Sequence, residues 1–255
     1  TVTIAYAGEI SHANSADGCG IIKEGDVQWM TAGRGIMHEE FHSPDFSRRG
    51  GLFSMVQLWV NLPSAHKLTA PKYQTLKGAD LPMVDLTDFE NGHALGQAAI
   101  IAGEWQDTKG AASTFTPINM WDIALHSTGS TMLQVPNNHN IMILVQEGTL
   151  LVNDKSVSAG SLIQFTAPTD TDIAIIDSAN EQSATQISDS IKLTYPKLAD
   201  DKLSGDKPSS SIVKLLLLSG EPIGEPVVGY GPFVMNTQAE LKQTFRDYQT
   251  GNFGK

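Results

Sequence analysis

Gly25-Asp26-Val27-Gln28-Trp29-Met30-Thr31-Ala32-Gly33-Arg34-Gly35-Ile36-Met37-His38-Glu39-Glu40 is the stretch on which the reading of this chain turns. It begins as a strand, with Val27, Trp29 and Thr31 on one face and Gln28 and Met30 on the other. A turn that requires glycine at Gly33 and Gly35 follows, and after it come an imidazole and two carboxylates. On a strand leaving that turn, His38 and Glu40 share a face because side chains at i and i+2 do. Their Cα atoms would lie roughly 6.6 Å apart, near enough for both heads to meet one metal ion at about 2.1 Å. His42 falls on the same face but stands roughly 13 Å from His38 along a strand, too far for two ligands of one ion. The same pair also reads as a hydrogen-bonded imidazole and carboxylate with no ion between them.

Outward from this stretch the chain consists of short strands and glycine turns. Thr1 to Tyr6, Glu9 to His12, Ile21-Ile22 and Asp26 to Thr31 are expected strands, separated by turns at Gly8 and Gly25. Gly51 to Leu62 is apolar on both faces and is expected as a buried strand. Ser64 to Leu81, bounded by prolines, is expected as a loop with a short helical turn. His93 to Gly103 reads as a strand pair, 104–117 as an interdomain linker, and 177–211 as a long mobile insertion. Thr237 with Glu240 forms a capping box, and Leu241, Phe245 and Tyr248 make an apolar stripe, so a C-terminal helix is expected over about 237–249, ending at Gly251.

The second half repeats the first. Ala7-Gly8-Glu9-Ile10 and the later Gly25 to Ala32 match Glu147-Gly148-Thr149-Leu150 and the later Gly160 to Ala167. Both copies run strand, glycine turn, return strand, second glycine turn, and alternating strand ending in Thr-Ala. Short strands in two copies argue an all-β chain of two similar barrels or sandwiches. The second copy continues as Pro168-Thr169-Asp170, without counterparts of His38 and Glu40, so a metal is expected in the first domain alone. His139 is the one further histidine of note.

The chain has 255 residues, is 40% hydrophobic and 18% charged, and carries a net charge of -11, the composition of an ordinary soluble globular protein. That acidity argues against direct binding to nucleic acid or anionic lipid, both of which need a basic surface. The longest apolar run, Ile212 to Leu218, is short for a membrane span and contains Lys214. The single Cys19 excludes an internal disulfide and fits a cytoplasmic location. The chain starts at Thr1 inside an alternating run, so residues upstream are expected to be missing.

The wording Gly25 to His38, Gln57-Leu58-Trp59-Val60-Asn61-Leu62-Pro63, Gly220-Glu221-Pro222 and Gly231-Pro232-Phe233-Val234-Met235-Asn236-Thr237 resembles the pirin family. The resemblance covers essentially the whole chain. It implies a bicupin, two tandem cupin β-barrel or jelly-roll domains, here expected as 1–107 without its first strands and 108–255 carrying the helix. It further implies one mononuclear transition metal, usually iron, held in the N-terminal domain by three histidines and one glutamate. His38 and Glu40 match the third histidine and the glutamate. The other two histidines belong to a His-x-His segment just before the first strand of this chain, so weak metal occupancy is expected. His12 matches a family position outside the ligand set.

By the same resemblance the expected activity is that of a quercetin 2,3-dioxygenase, opening a flavonol ring with O2, with Glu40 as ligand and as base for the flavonol proton. Met30, Met37, Phe53 and Trp59 would offer an apolar interior to the flat substrate, or form core. The alternatives are a non-catalytic regulatory protein, acting on transcription or on a metabolic enzyme through a protein partner, and a metal-free remnant.

Overall fold

A computed structural model gives the fold. It describes residues 1–15, 18–165, 190–196 and 212–255, together with the backbone course of two strands at 172–177 and 180–185. Most of the insertion expected over 177–211, and the Thr-Ala end of the second copy, lie outside the described residues. Among the described residues no helix is long and apolar enough to cross a membrane.

The chain packs as two units, one of residues 1–81 with 223–255 and the other of residues 82–222. The division expected at 107/108 does not coincide with either limit. In the first unit β1 (Val2–Ala7), β2 (Glu9–Asn14), β3 (Cys19–Lys23), β4 (Val27–Thr31) and β5 (His38–His42) lead to the short helix α1 (Pro44–Arg49). β6 (Ser54–Leu58) and β7 (Lys72–Leu76) complete two sheets, ordered β6-β1-β4-β7 and β3-β2-β5. Ala5, Ile10 and Ile22, joined by Phe53, pack from β1, β2 and β3 and tie the two sheets together.

The second unit begins with β8 (Met83–Thr87) and β9 (Ala94–Ala102), a hairpin of β10 (Glu104–Trp105) and β11 (Thr108–Lys109), and β12 (Ile118–Leu125). It continues with β13 (Gly129–Gln134), β14 (Asn140–Glu147), β15 (Thr149–Val152), β16 (Lys155–Ser158) and β17 (Leu162–Phe165). β18 (Asp172–Asp177), β19 (Asn180–Thr185), β20 (Ser190–Tyr195) and β21 (Val213–Gly220) close it. Its sheets run β19-β18-β17-β14-β21-β12-β9-β8 and β13-β20-β15-β16. A core around Trp121, Ile143, Leu215 and Leu217, all fully buried, fills the space between them. The final β22 (Val228–Tyr230), β23 (Phe233–Met235) and α2 (Gln238–Gln249) belong to the first unit.

The repeat is visible in the backbone. Gly8 and Gly148 have φ of +87° and +79°, and Gly25 and Gly160 have +84° and +87°, all in the region where glycine is favoured. Gly33 is held by a closer constraint, since a Cβ there would stand 2.0 Å from the Thr69 carbonyl oxygen, which accepts a bond from the Arg34 N–H at 2.9 Å.

Four sequence expectations change. The strand expected over 51–62 is only Ser54–Leu58, and it is an edge strand, so Leu52, Met55 and Trp59 are exposed instead of buried. Lys72–Leu76, expected as loop, is a strand paired with β4 from Val27↔Leu76 to Thr31↔Lys72; its polar composition conceals it. The expected linker 104–117 begins as the β10–β11 hairpin, turning through Gln106 and Asp107 at φ of 49° and 63°. Trp105 anchors that hairpin by stacking on Trp121 with ring centroids 4.7 Å apart. The helix α2 has the expected capping box, but it packs in the first unit, with Phe245 against Tyr230 and Phe233.

The turn into β4 is tied by Asp26, whose carboxylate accepts from Lys23 N (3.1 Å), Gly78 N (3.0 Å) and Lys77 Nζ (2.8 Å). Burial opposes ionisation of Asp26, but Lys77 and the two backbone N–H groups outweigh it and hold the carboxyl below its ordinary range. The stabilisation is therefore complete above the unfolded carboxylate pKa of about 3.9 and is lost as pH falls through the lower folded value. Asp26→Ala is expected to cost about 3 kcal/mol in urea unfolding at neutral pH, because it strands two backbone donors and a lysine.

Candidate metal centre

His38 and Glu40 stand two apart on β5 and face the same way, as the strand period requires. β5 pairs antiparallel with β2 in a register that sets His12 directly opposite Glu40 and Asn14 opposite His38. Direct cross-strand partners share a face, so His12 joins the pair. The potential ligand atoms of His12, His38 and Glu40 all lie within 4.8 Å of one another, and among the described residues this is the one such group of histidine, cysteine and carboxylate side chains. His42 is outside it, its ring packed on Phe46 and Phe53 at 5.3 and 4.6 Å.

His12 is 2% exposed, and neither of its ring nitrogens has a hydrogen-bond partner among the described residues. Its ring stacks on Tyr73 of β7 at 5.3 Å and lies 5.6 Å from the His38 ring. Burial lowers its pKa, the Glu40 carboxylate pulls it back up, and His38 lowers it further, so the imidazole is held toward its neutral, ligating form. A buried imidazole with two idle nitrogens is costly unless something occupies the site. The residues present fit a metal ion: two imidazoles and a carboxylate converge, and one imidazole has no other partner.

Glu40 is held from the opposite sheet. Thr3 Oγ1 and Gln28 Nε2 each donate to its Oε1 at 3.4 Å, and Gln57 Nε2 donates to its Oε2 at 2.7 Å. The turn carrying the chain into β5 is fixed by the C-terminal residues of the same unit. Arg34 Nε donates to Gly254 O at 3.1 Å, and a Cβ at Gly35 would come within 2.7 Å of Phe253.

The apolar interior expected from four side chains is divided. Met30 is buried core at 3% exposure and Phe53 is half-buried, but Met37 at 55% and Trp59 at 61% face outward. In the second unit the positions equivalent to Ile10 and His12, counted from the paired glycines, are Leu150 and Val152, both in the apolar core. Counted from Gly160, the positions of His38 and Glu40 are Ile173 and Ile175. His139 of that unit is half-buried and bonds Ser219 Oγ through Nδ1 at 3.1 Å, and among the described residues it belongs to no metal-ligand group.

Sequence comparison matches residues 1–60 to the pirin family model and residues 193–254 to that of the pirin C-terminal cupin domain. A Pseudomonas aeruginosa protein named as a candidate quercetin 2,3-dioxygenase is 39% identical over 99% of this chain and 75% of its own. Pirin-1 of Arabidopsis thaliana is 36% identical over 100% of this chain and 75% of its own. The crystal structure of a quercetin 2,3-dioxygenase from Acinetobacter baumannii is similar with a TM-score of 0.77 and 41% identity, over 100% of this chain and 75% of that one. The fold described above is accordingly that of two tandem cupin domains.

Proposed function

The chain belongs to the pirin family, and on that premise we propose that His12, His38 and Glu40 hold one first-row transition metal used in oxygenase chemistry on a flavonol-type substrate. The observation that carries the proposal is His12, a buried imidazole with both nitrogens idle, directly across the ladder from Glu40. Two imidazoles and one carboxylate with positions left open are the donor set of non-haem iron oxygenases, and iron is the metal the family resemblance implies. When bound, such a metal supplies an electrophilic centre on which a hydroxyketone can chelate and at which dioxygen can react.

The protein groups divide the remaining work. His12, kept neutral by burial, ligates without first losing a proton. Tyr73 covers its ring and excludes water from that side. Glu40 supplies the carboxylate of the donor set.

Support for the substrate class comes from the relatives' names. The iron-loaded chain, given quercetin in air, is expected to consume flavonol absorbance together with oxygen, and Glu40→Gln, which removes the ligating carboxylate, is expected to reduce that rate by at least about 100-fold. A metal-loaded chain that consumes no quercetin above the buffer rate contradicts the enzymatic reading. A second, regulatory reading through a protein partner would draw on exposed apolar side chains such as Met37, Phe41 and Trp59, which are 55%, 61% and 61% exposed. Under that reading metal binds and flavonol is not turned over.

A further inference from the structure

The ladder registers of the first unit place Thr3 of β1 directly beside both Gln28 of β4 and Gln57 of β6. Gln57, Thr3 and Gln28 thus form one polar row across three neighbouring strands, and direct partners in a sheet face the same way. The row faces Glu40, which comes from the other sheet, and each of its three members donates to that carboxylate. The Gln57 amide sends one N–H to Thr3 Oγ1 at 3.1 Å and the other to Glu40 Oε2 at 2.7 Å. The Thr3 hydroxyl, having accepted from Gln57, donates onward to Glu40 Oε1 at 3.4 Å. Gln28, 1% exposed, donates to the same oxygen, and its own Oε1 has no partner among the described residues. The opposite amide orientation would set that oxygen against the carboxylate, so the donor assignment is fixed by charge.

We propose that this row, and Gln57 above all, is the positioning device for Glu40: it occupies both lone pairs of Oε1 and one of Oε2, so that Glu40 offers the metal a single remaining lone pair, on Oε2. A carboxylate has about four acceptor positions in its plane, and three are taken here. Glu40 is therefore a one-oxygen ligand of fixed orientation. This inference rests on the metal-site reading above and adds to it the groups that set how one ligand binds. Partners that hold a ligating carboxylate typically change metal affinity by roughly 10–100-fold when removed.

The test uses Co(II) alone as the probe, titrated into the full chain and read by its visible absorption, with far-UV circular dichroism on each variant. Wild type is expected to bind one equivalent and His38→Ala none; this pair of results belongs to the metal-site reading and separates its failure from that of the row. Gln57→Met keeps length and removes the donor. It is expected to weaken Co(II) binding by about 10–100-fold and to change the absorption band, because Oε2, the oxygen left for the metal, is no longer held in one orientation. Thr3→Val is expected to do the same to a smaller extent. Gln57→Met with wild-type affinity and a superimposable band overturns the proposal, as does a loss of affinity accompanied by loss of the folded spectrum.

Discussion

His12→Ala is expected to lower metal affinity by more than about 100-fold, above the effect typical of groups that merely support a ligand, while leaving the metal-free chain nearly as stable as before. The two halves of this expectation have one cause. In the metal-free protein His12 contributes its stack on Tyr73 but leaves two buried ring nitrogens unpaired. Removing the ring loses apolar contact and removes two unsatisfied polar atoms, and effects of roughly 1–3 kcal/mol in each direction nearly offset. With metal bound those nitrogens are what the site requires, so the whole effect falls on affinity. Isothermal titration of Co(II) into wild type and variant, beside urea unfolding of both without metal, measures the two halves separately. A variant that binds Co(II) as wild type does would remove His12 from the ligand set.

The largest stability effect is expected in the other unit. Trp121 is fully buried on β12, between the β9 and β21 ladders, with its ring stacked on Trp105. Trp121→Ala is expected to cost about 3–5 kcal/mol, a fall of order 10 °C in thermal midpoint for a unit of this size. Trp105 would lose the surface that holds the β10–β11 hairpin, so protease sensitivity is expected to appear first around Gln106 and Asp107. Metal affinity should be unchanged, because no proposed ligand lies in residues 82–222. Thermal unfolding followed by circular dichroism, with limited proteolysis, checks both statements.

What could be read from the sequence was set by short-range rules. The i and i+2 period puts His38 and Glu40 together, and the paired glycines mark the repeat, because both are properties of a few consecutive residues. The capping box at Thr237 is of the same kind. His12 was not legible as a member of the site, since its place opposite Glu40 depends on the register between β2 and β5, two strands that are not neighbours in sequence. The row of Gln57, Thr3 and Gln28 depends on two such registers at once. The strand at Lys72–Leu76 escaped because its alternation is between polar residues and Tyr73, a pattern that composition assigns to loops. The return of residues 223–255 to the first unit is a long-range fact of the same sort, signalled by no local residue.

Elemental analysis decides whether this chain holds one metal on His12, His38 and Glu40. Wild type, His12→Ala and His38→Ala would be purified without chelator and their first-row metal content measured per chain. About one equivalent is expected in wild type and a small fraction of that in either variant. Negligible metal in wild type, or equal metal in all three, would contradict it.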